Sequence, residues 1–266
     1  MGPELVTTRR SILAGAGALA AYAALERDAD AKNWPTWAGA RRSRRPDEVP
    51  GCLGFWDAQR STIGTTGGLV DSVTDVKGVT GTVTSTGAAR PALSATGWNG
   101  LPCFDFGVGG TCVLVTPSVS LSAHAFFAVA QCGASSGYLV THVNDSTVGY
   151  LYCTSPGSSV RRSGVISTKN GPVGWMTDGV KHSAGRAYDT THASHVLYQD
   201  GLPVTTSDVQ NGSPNAIASG ALYIGNAQVF TDGIRGLYAS FAVFNRVPTA
   251  LEWYGMHLWA RRAWAF

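Results

Sequence analysis

Past residue 50 this chain of 266 residues holds a single glutamate, Glu252, and three lysines, Lys77, Lys169 and Lys181. Long surface helices draw on those residue types, so their scarcity argues against a helical fold. The shortage of acids also bears on chemistry. Glycoside cleavage by two carboxylates needs a pair about 5–9 Å apart, one protonated and one ionised. Glu252 falls in a terminal helical pattern, and the aspartates are dispersed, mostly at turns: Asp145, Asp178, Asp200, Asp232. No two sit at i, i+2 on a strand of the globular part, so the expectation is a protein that is not an enzyme. No Gly-rich fingerprint follows a strand, which leaves nucleotide binding unsupported. No two of the five cysteines (Cys52, Cys103, Cys112, Cys132, Cys153) form a CxxC pair, and their spacing fits no zinc motif. Their odd number leaves at least one unpaired, and small buried thiols are the favoured reading. Cys103 and Cys112 flank a Gly-rich turn that would let them face each other.

What the chain has in abundance is glycine, 33 residues, together with many Ser and Thr. That composition predicts short strands joined by turns, and one large all-β sandwich is the economical arrangement. Charge is unevenly placed. Residues 1–45 carry eight Lys/Arg against four acids, whereas the remaining 221 carry twelve against thirteen. The globular part is therefore near neutral, which argues against a nucleic-acid-binding face.

The N-terminal part divides into 1–32 and 33–50. Thr8-Arg9-Arg10-Ser11-Ile12-Leu13 resembles the twin-arginine export motif, and Ser11 to Leu25 is free of charge. As a helix those fifteen residues span about 22 Å, short of a ~30 Å hydrocarbon core. Ala29-Asp30-Ala31 offers a small-x-small cleavage site that would leave Lys32 as the first residue. If retained, an Ala-rich helix needs a surface on which to bury itself. Residues 33–50 read as a basic, Pro-containing linker. In it Trp34 and Trp37 would anchor the arm, and Arg41, Arg42, Arg44 and Arg45 would meet an acidic or anionic surface.

Residues 51–266 read as strands. His195 to Val204 is two apolar runs broken by Asp200-Gly201, a tight-hairpin signal because the primed turns need positive φ. Ser122–Gln131 is a continuous apolar run, as for a central strand covered on both sides. Gly51–Gln59, Leu69–Val73 and Val79–Thr84 are further candidates. Leu101–Phe106 with Thr111–Thr116 is expected to form a hairpin, as is Gly137–Val143 with Val148–Thr154. Gly233 to Arg246 makes one long strand. Thr249 to Ala265 follows as a short amphipathic helix with Leu251, Tyr254, His257, Leu258 and Trp264 at helical spacing. His124, His192 and His195 are expected to fill core roles, since an i, i+3 pair such as His192 and His195 does not share one strand face.

The order "VLYxDG" hairpin, Leu222-Tyr-Ile-Gly-Asn226, then Gly233-Ile…Phe-Asn-Arg246 leading into a helix resembles the C-terminal half of the laminin-G-like, concanavalin-A-like jelly-roll family. Gly54-Phe-Trp-Asp57 resembles its first strand, and Trp98-Asn-Gly-Leu-Pro-Cys-Phe-Asp-Phe-Gly107 its "NGLPxxxF" strand. The resemblance implies a two-sheet antiparallel jelly-roll sandwich with an N-terminal helical arm and a short C-terminal helix. Such domains are lectin-like, and many occur in secreted proteins and in phage virions. The resemblance further implies a bacteriophage virion protein, a capsid decoration, head fibre or tail adhesin at the particle surface. Arg9 and Arg10 would lie in its anchoring arm, with capsid or tail proteins, further copies of itself and host-surface polysaccharide as partners. The alternative is a twin-arginine-exported, periplasmic or extracellular carbohydrate-binding protein. Sugar recognition by stacking and hydroxyl bonding would suit Tyr150, Tyr152, Trp175, Asn144 and Asp145. No cofactor is expected. Calcium, which commonly assists such lectins, would use Asp145 or Asp232, but no run clusters the oxygens it prefers.

Overall fold

Alternation of apolar and polar residues between Gly-containing turns produces strands over most of the chain, and the turns fall where positive φ is required. In the computed structural model Asp200 and Gly201 have φ of 52° and 79°, closing Val196–Gln199 on Leu202–Pro203 as the sequence predicts. Asn99 and Gly100, at 52° and 81°, do the same for Ala92–Trp98 and Leu101–Asp105. The structure describes residues 43–85, 89–107, 111–121, 123–133, 137–144, 147–152, 158–162, 165–171, 175–189, 195–210, 217–226 and 233–266. These belong to one unit, Ser43–Phe266. It is all-β, with paired strands antiparallel, one isolated parallel bridge between Tyr138 and Gly233, and a C-terminal helix, Ala250–Trp264.

Two ladders carry the unit. The first runs Cys52–Asp57, Gly236–Phe244, His124–Cys132, Lys181–Tyr188, Val196–Gln199 and Leu202–Pro203 in spatial order. The second runs Ile63–Thr66, Leu69–Val73, Val83–Thr84, Leu114–Val115, Leu222–Ile224, Tyr138–Asn144, Thr147–Tyr152, Ser158–Arg162, Val165–Asn170 and Ser207–Gln210. The Asn99-Gly100 hairpin joins them, pairing Asp105 with Leu237 on one side and Ala92 with Leu69 on the other. This corrects the expected pairing of Leu101–Phe106 with Thr111–Thr116. The two-residue turn at Asn99-Gly100 supplies a nearer partner, and Leu114–Val115 pairs in the second ladder instead. Cys103 and Cys112 accordingly remain free thiols, as does Cys52.

His124–Cys132 is the central strand that its apolar run predicts, held between Gly236–Phe244 and Lys181–Tyr188. Its even-numbered residues face the core shared with the second ladder, where Phe126 and Trp56 pack about Phe241. Its odd-numbered residues meet the helix. Phe127 lies 6.2 Å from Trp253 and 6.5 Å from Trp259, and Tyr198 stacks on Trp253 at 4.3 Å. Gly185 is there because nothing larger fits. A Cβ on it would come within 2.3 Å of the Trp253 ring.

The helix begins at Thr249, whose hydroxyl accepts from the Glu252 amide while the Glu252 carboxylate accepts from Thr249 N at 2.7 Å, a capping box. The chain's last glutamate thus serves a helix start and an ion pair with Arg246, 2.6 Å away. The buried stripe is Trp253, Met256, Trp259, Ala260 and Trp264, whereas Leu251 is 55% exposed. Of the expected face, His257 and Trp264 are buried and Tyr254 and Leu258 half-buried; Leu251 is the correction, turned outward by a docking that the Trp253 slot above Gly185 fixes. Among the described residues no helix is long and apolar enough to cross a membrane.

Candidate functional site

Three of the sequence candidates for glycan contact come together on one hairpin of the second ladder. Register sets Tyr152 opposite Tyr138, Tyr150 opposite Thr141 and Ser159, and Asn144 opposite Thr147. The Tyr138 and Tyr152 rings meet edge to face at 4.7 Å, both half-buried. Asp145 and Asp232 lie outside the described residues. Trp175 does not join the group. It is only 4% exposed and packs so closely on Gly171 that a Cβ there would sit 3.1 Å from the indole. An enclosed ring has no free face on which to stack a sugar.

Following the hydrogen-bonded register sideways shows a row crossing the ladder: Val115, Tyr223, Thr141, Tyr150, Ser159, Thr168, Val209. Directly opposed residues in antiparallel strands share a face. The other face holds Val140, His142, Leu151, Leu222 and Ser167, all fully buried. Tyr223 is half-buried between Leu222 and Ile224, and Thr141 Oγ1 donates to the Asn226 carbonyl at 3.1 Å. On this face Thr141 and Thr168 are themselves buried, whereas the rings of Tyr138, Tyr152 and Tyr223 are half-buried. Half-exposed phenol rings can stack on sugar faces and hydrogen-bond their hydroxyls. Tyr138 and Tyr223 are the members that sequence reasoning missed. For Tyr223 the signal is its place between two apolar neighbours in Leu222-Tyr223-Ile224.

Titratable groups gather at two other places. Between the Asp178 turn and the Asp200 hairpin, His182 is clamped by carboxylates on both ring nitrogens, Nδ1 to Asp200 at 2.7 Å and Nε2 to Asp178 at 3.0 Å. Burial works to lower its pKa, but the two carboxylates outweigh that and leave it raised. Asp200 Oδ1 also accepts from the Ser183 amide, and the Ser183 hydroxyl meets His257 Nδ1 at 3.0 Å, tying this rim to the helix. The second place is the core between the ladders. There Arg186 is fully buried, its guanidinium 4.6 Å over the Phe126 ring and bonded to His124. His195 Nδ1 lies 2.9 Å from the Ser167 hydroxyl. His142 is pushed down to about 4, by burial first and by the Arg186 charge second. His124 and His195 thus occupy interior positions; His192 lies outside the described residues. Among the described residues no group of three or more His, Cys, Asp or Glu is arranged to hold a metal ion.

Of the expected anchoring residues, Arg9, Arg10, Trp34, Trp37, Arg41 and Arg42 lie outside the described residues. Arg44 donates its amide to the Gly255 carbonyl, with its guanidinium 4.0 Å from Glu252. Arg45 forks onto the Asp47 carboxylate at 3.0 and 2.8 Å. Both arginines are engaged within the unit.

No protein-family model matches the chain. No curated protein matches it either. Solved structures do. A sialidase from Trypanosoma rangeli, in complex with sialic acid, is similar over 81% of this chain and 34% of its own, at 15% identity and a TM-score of 0.51. The chain thus spans about a third of that enzyme's length. Domain 4 of a GH43 extracellular arabinanase from Geobacillus stearothermophilus, in complex with arabinotriose, is similar over 79% of this chain and 100% of its own. There the identity is 12% and the TM-score 0.55. These likenesses concern the fold, and they correct one expectation. The scarcity of paired acids pointed away from an enzyme, yet the matched structures come from glycan-active enzymes. Paired glutamates are one catalytic solution among several, so their absence was too narrow a criterion. The virion role and the export signal gain no support from these matches.

Proposed function

We propose that residues 51–266 are a glycan-binding module of a carbohydrate-active protein, a concanavalin-A-like jelly-roll sandwich whose two ladders are its two sheets. The sugar lies against the half-buried rings of Tyr223, Tyr138 and Tyr152, with Tyr150 and Asn144 on the same hairpin. The observation that carries the reading is the gathering of three half-buried tyrosine rings, Tyr138, Tyr152 and Tyr223, on neighbouring strands of a ladder whose other face is sealed in the core. It is supported by the fold likeness, over 79% of this chain, to an arabinanase domain that was captured with arabinotriose. Fold alone does not fix function, so the row has to be tested as a site.

Isothermal titration of the full chain against arabino-oligosaccharides and a wider oligosaccharide panel is the test. Tyr223→Ala and Tyr150→Ala are each expected to weaken binding on the order of tenfold, or ~1.4 kcal/mol, while the melting temperature moves little. Failure of every oligosaccharide to bind would overturn the reading. Binding unchanged in both variants would move the site off the row.

A further inference from the structure

The C-terminal helix carries a second apolar stripe on its exposed side. Leu251 is exposed, Tyr254 and Leu258 are half-buried, and Arg262 and Ala265 are exposed. Steps of three and four residues set these positions in one line along the helix. At its C-terminal end the stripe runs into an open cleft of about 390 Å³, lined by Leu258, Arg261, Arg262, Ala265 and Phe266. The lining is apolar apart from the two guanidinium groups, and it holds no acid.

Arginines in a last turn ordinarily serve the helix itself, by meeting its open carbonyls and its negative dipole end. Here that duty is largely taken. Gln59 Nε2 donates to the Ala263 carbonyl at 3.0 Å, Trp98 Nε1 to that of Trp264 at 2.9 Å, and Asn99 Nδ2 to that of Ala265. Arg261 Nε donates to the Phe266 carbonyl at 3.1 Å, which leaves the outer nitrogens of its fork unused. Arg262 makes no hydrogen bond and no ion pair among the described residues. The acids beside the helix are spent elsewhere, Glu252 on Arg246 and Asp200 on His182.

We propose that this stripe and its cleft are a docking surface for an acidic segment of a partner protein. An apolar side chain of the segment fills the cleft against Leu258 and Phe266. Carboxylates beside it take the forks of Arg262 and Arg261, a geometry that guanidinium matches bidentately. Other occupants fit less well. A membrane surface is held by clusters of about 4–8 basic side chains, and the cleft offers only Arg261 and Arg262. A sugar finds no side-chain hydroxyl, amide or carboxylate on the lining. A second copy, crossing stripe on stripe in antiparallel fashion, would bring these arginines to the other helix's start, where Arg44 and Arg246 already flank Glu252. A parallel crossing would set arginine against arginine. The chain's own first 45 residues, with eight Lys/Arg against four acids, have the wrong sign.

The test uses the full chain and a panel of synthetic peptides in which a Leu or Phe is flanked by Asp and Glu. Each peptide has a twin with Asn and Gln in place of the acids. Fluorescence anisotropy is expected to show the acidic form binding on the order of tenfold tighter than its twin, with a difference that shrinks as salt is raised. Arg262→Gln, at an exposed position, should erase most of that difference without moving the melting temperature. Leu258→Ala, which removes a wall of the cleft, should weaken both forms. Lys77→Gln removes an exposed cation off the helix and should leave both affinities unchanged. Binding of no peptide, equal binding of the twins, or a difference that survives Arg262→Gln overturns the proposal. Vesicles of phosphatidylserine and phosphatidylcholine that bind more tightly than any peptide, and lose binding in Arg262→Gln, would make the face a membrane contact. A dimer in sedimentation that Leu251→Asp breaks would make it a contact between copies. Either result overturns the proposal as well.

Discussion

The strands His124–Cys132 and Thr147–Tyr152 each sit inside a ladder with a neighbour on either side, yet the first holds eight buried residues of nine, whereas the second ends in the half-buried Tyr152. Over the first lies a helix that sets Trp253 and Trp259 against Phe127. The second has a sealed inner face with Val140, Leu151 and His142. Beside its outer face stand the half-buried rings of Tyr138, Tyr152 and Tyr223. A layer covered on both sides has only packing to do, and its residues are constrained by volume. A layer open on one side can hold polar and aromatic groups that packing does not require. On the proposed reading, structure falls to the first ladder and recognition to the second.

The sharpest way to break that comparison is to damage the closed layer. Gly185→Val would drive methyl groups into the Trp253 ring and toward the Phe126 carbonyl, which already lies 2.9 Å from a Cβ position. It is expected to abolish cooperative folding. Trp253→Ala keeps the backbone but removes the ring stacked on Tyr198, and should cost about 3–5 kcal/mol in chemical denaturation. If Trp253→Ala unfolds at the wild-type denaturant midpoint, the helix is a passenger and the first ladder is not sealed in the way described.

The two layers also differ in how they respond to protons. His142 lies in the core between them, with its pKa pushed down to about 4 by burial and Arg186. In the unfolded chain a histidine titrates near 6.5. The unfolded state therefore binds more protons between those values, and stability is full above about 6.5 and lost as pH falls toward 4. His182 on the rim has the opposite sign. Its pKa is raised in the folded state, so its contribution is complete below about 6.5 and fades as pH rises through the raised value. Together they give a stability maximum near the ordinary histidine pKa. Asp71, Asp178 and Glu252, whose pKa values are lowered, withdraw their support only in the more acid range of carboxylates. Melting curves against pH should show both limbs. His142→Asn should flatten the acid limb, and Asp200→Asn should flatten the alkaline one. An unchanged acid limb in His142→Asn would place the sensitive group elsewhere.

The sequence discloses these features unequally, for physical reasons. The Asp200-Gly201 turn is legible because only a few residue types accept positive φ at two successive positions, and the central strand because eight of its nine residues are buried. The face of the helix is not. Its spacing supports one stripe through Leu251 and Tyr254 and another through Trp253 and Met256. The choice rests on Gly185, which reaches it only through tertiary packing. The Asn99-Gly100 hairpin competes with the partner expected for Leu101–Phe106, and a two-residue turn wins over a longer connection. Of the candidate site, Tyr150 and Tyr152 show in the alternation of a six-residue strand. Tyr223 comes from a three-residue strand whose partners are some eighty and over a hundred positions away, and no local pattern reports that pairing.

The smallest expected effects sharpen the comparison most finely, because they ask whether the open faces are free of structural duty. Leu251 is an exposed apolar position on the helix, and Leu251→Ser should change stability by no more than about 0.5 kcal/mol. Tyr223 on the row should tolerate Ala at a cost of about 1 kcal/mol, well below that of Trp253, since its ring is only half-covered. Denaturant midpoints of the two variants, measured beside Trp253→Ala, order the faces by burial. If Tyr223→Ala costs as much as Trp253→Ala, the row is part of the core, and any loss of sugar binding in that variant would reflect unfolding and not a lost contact.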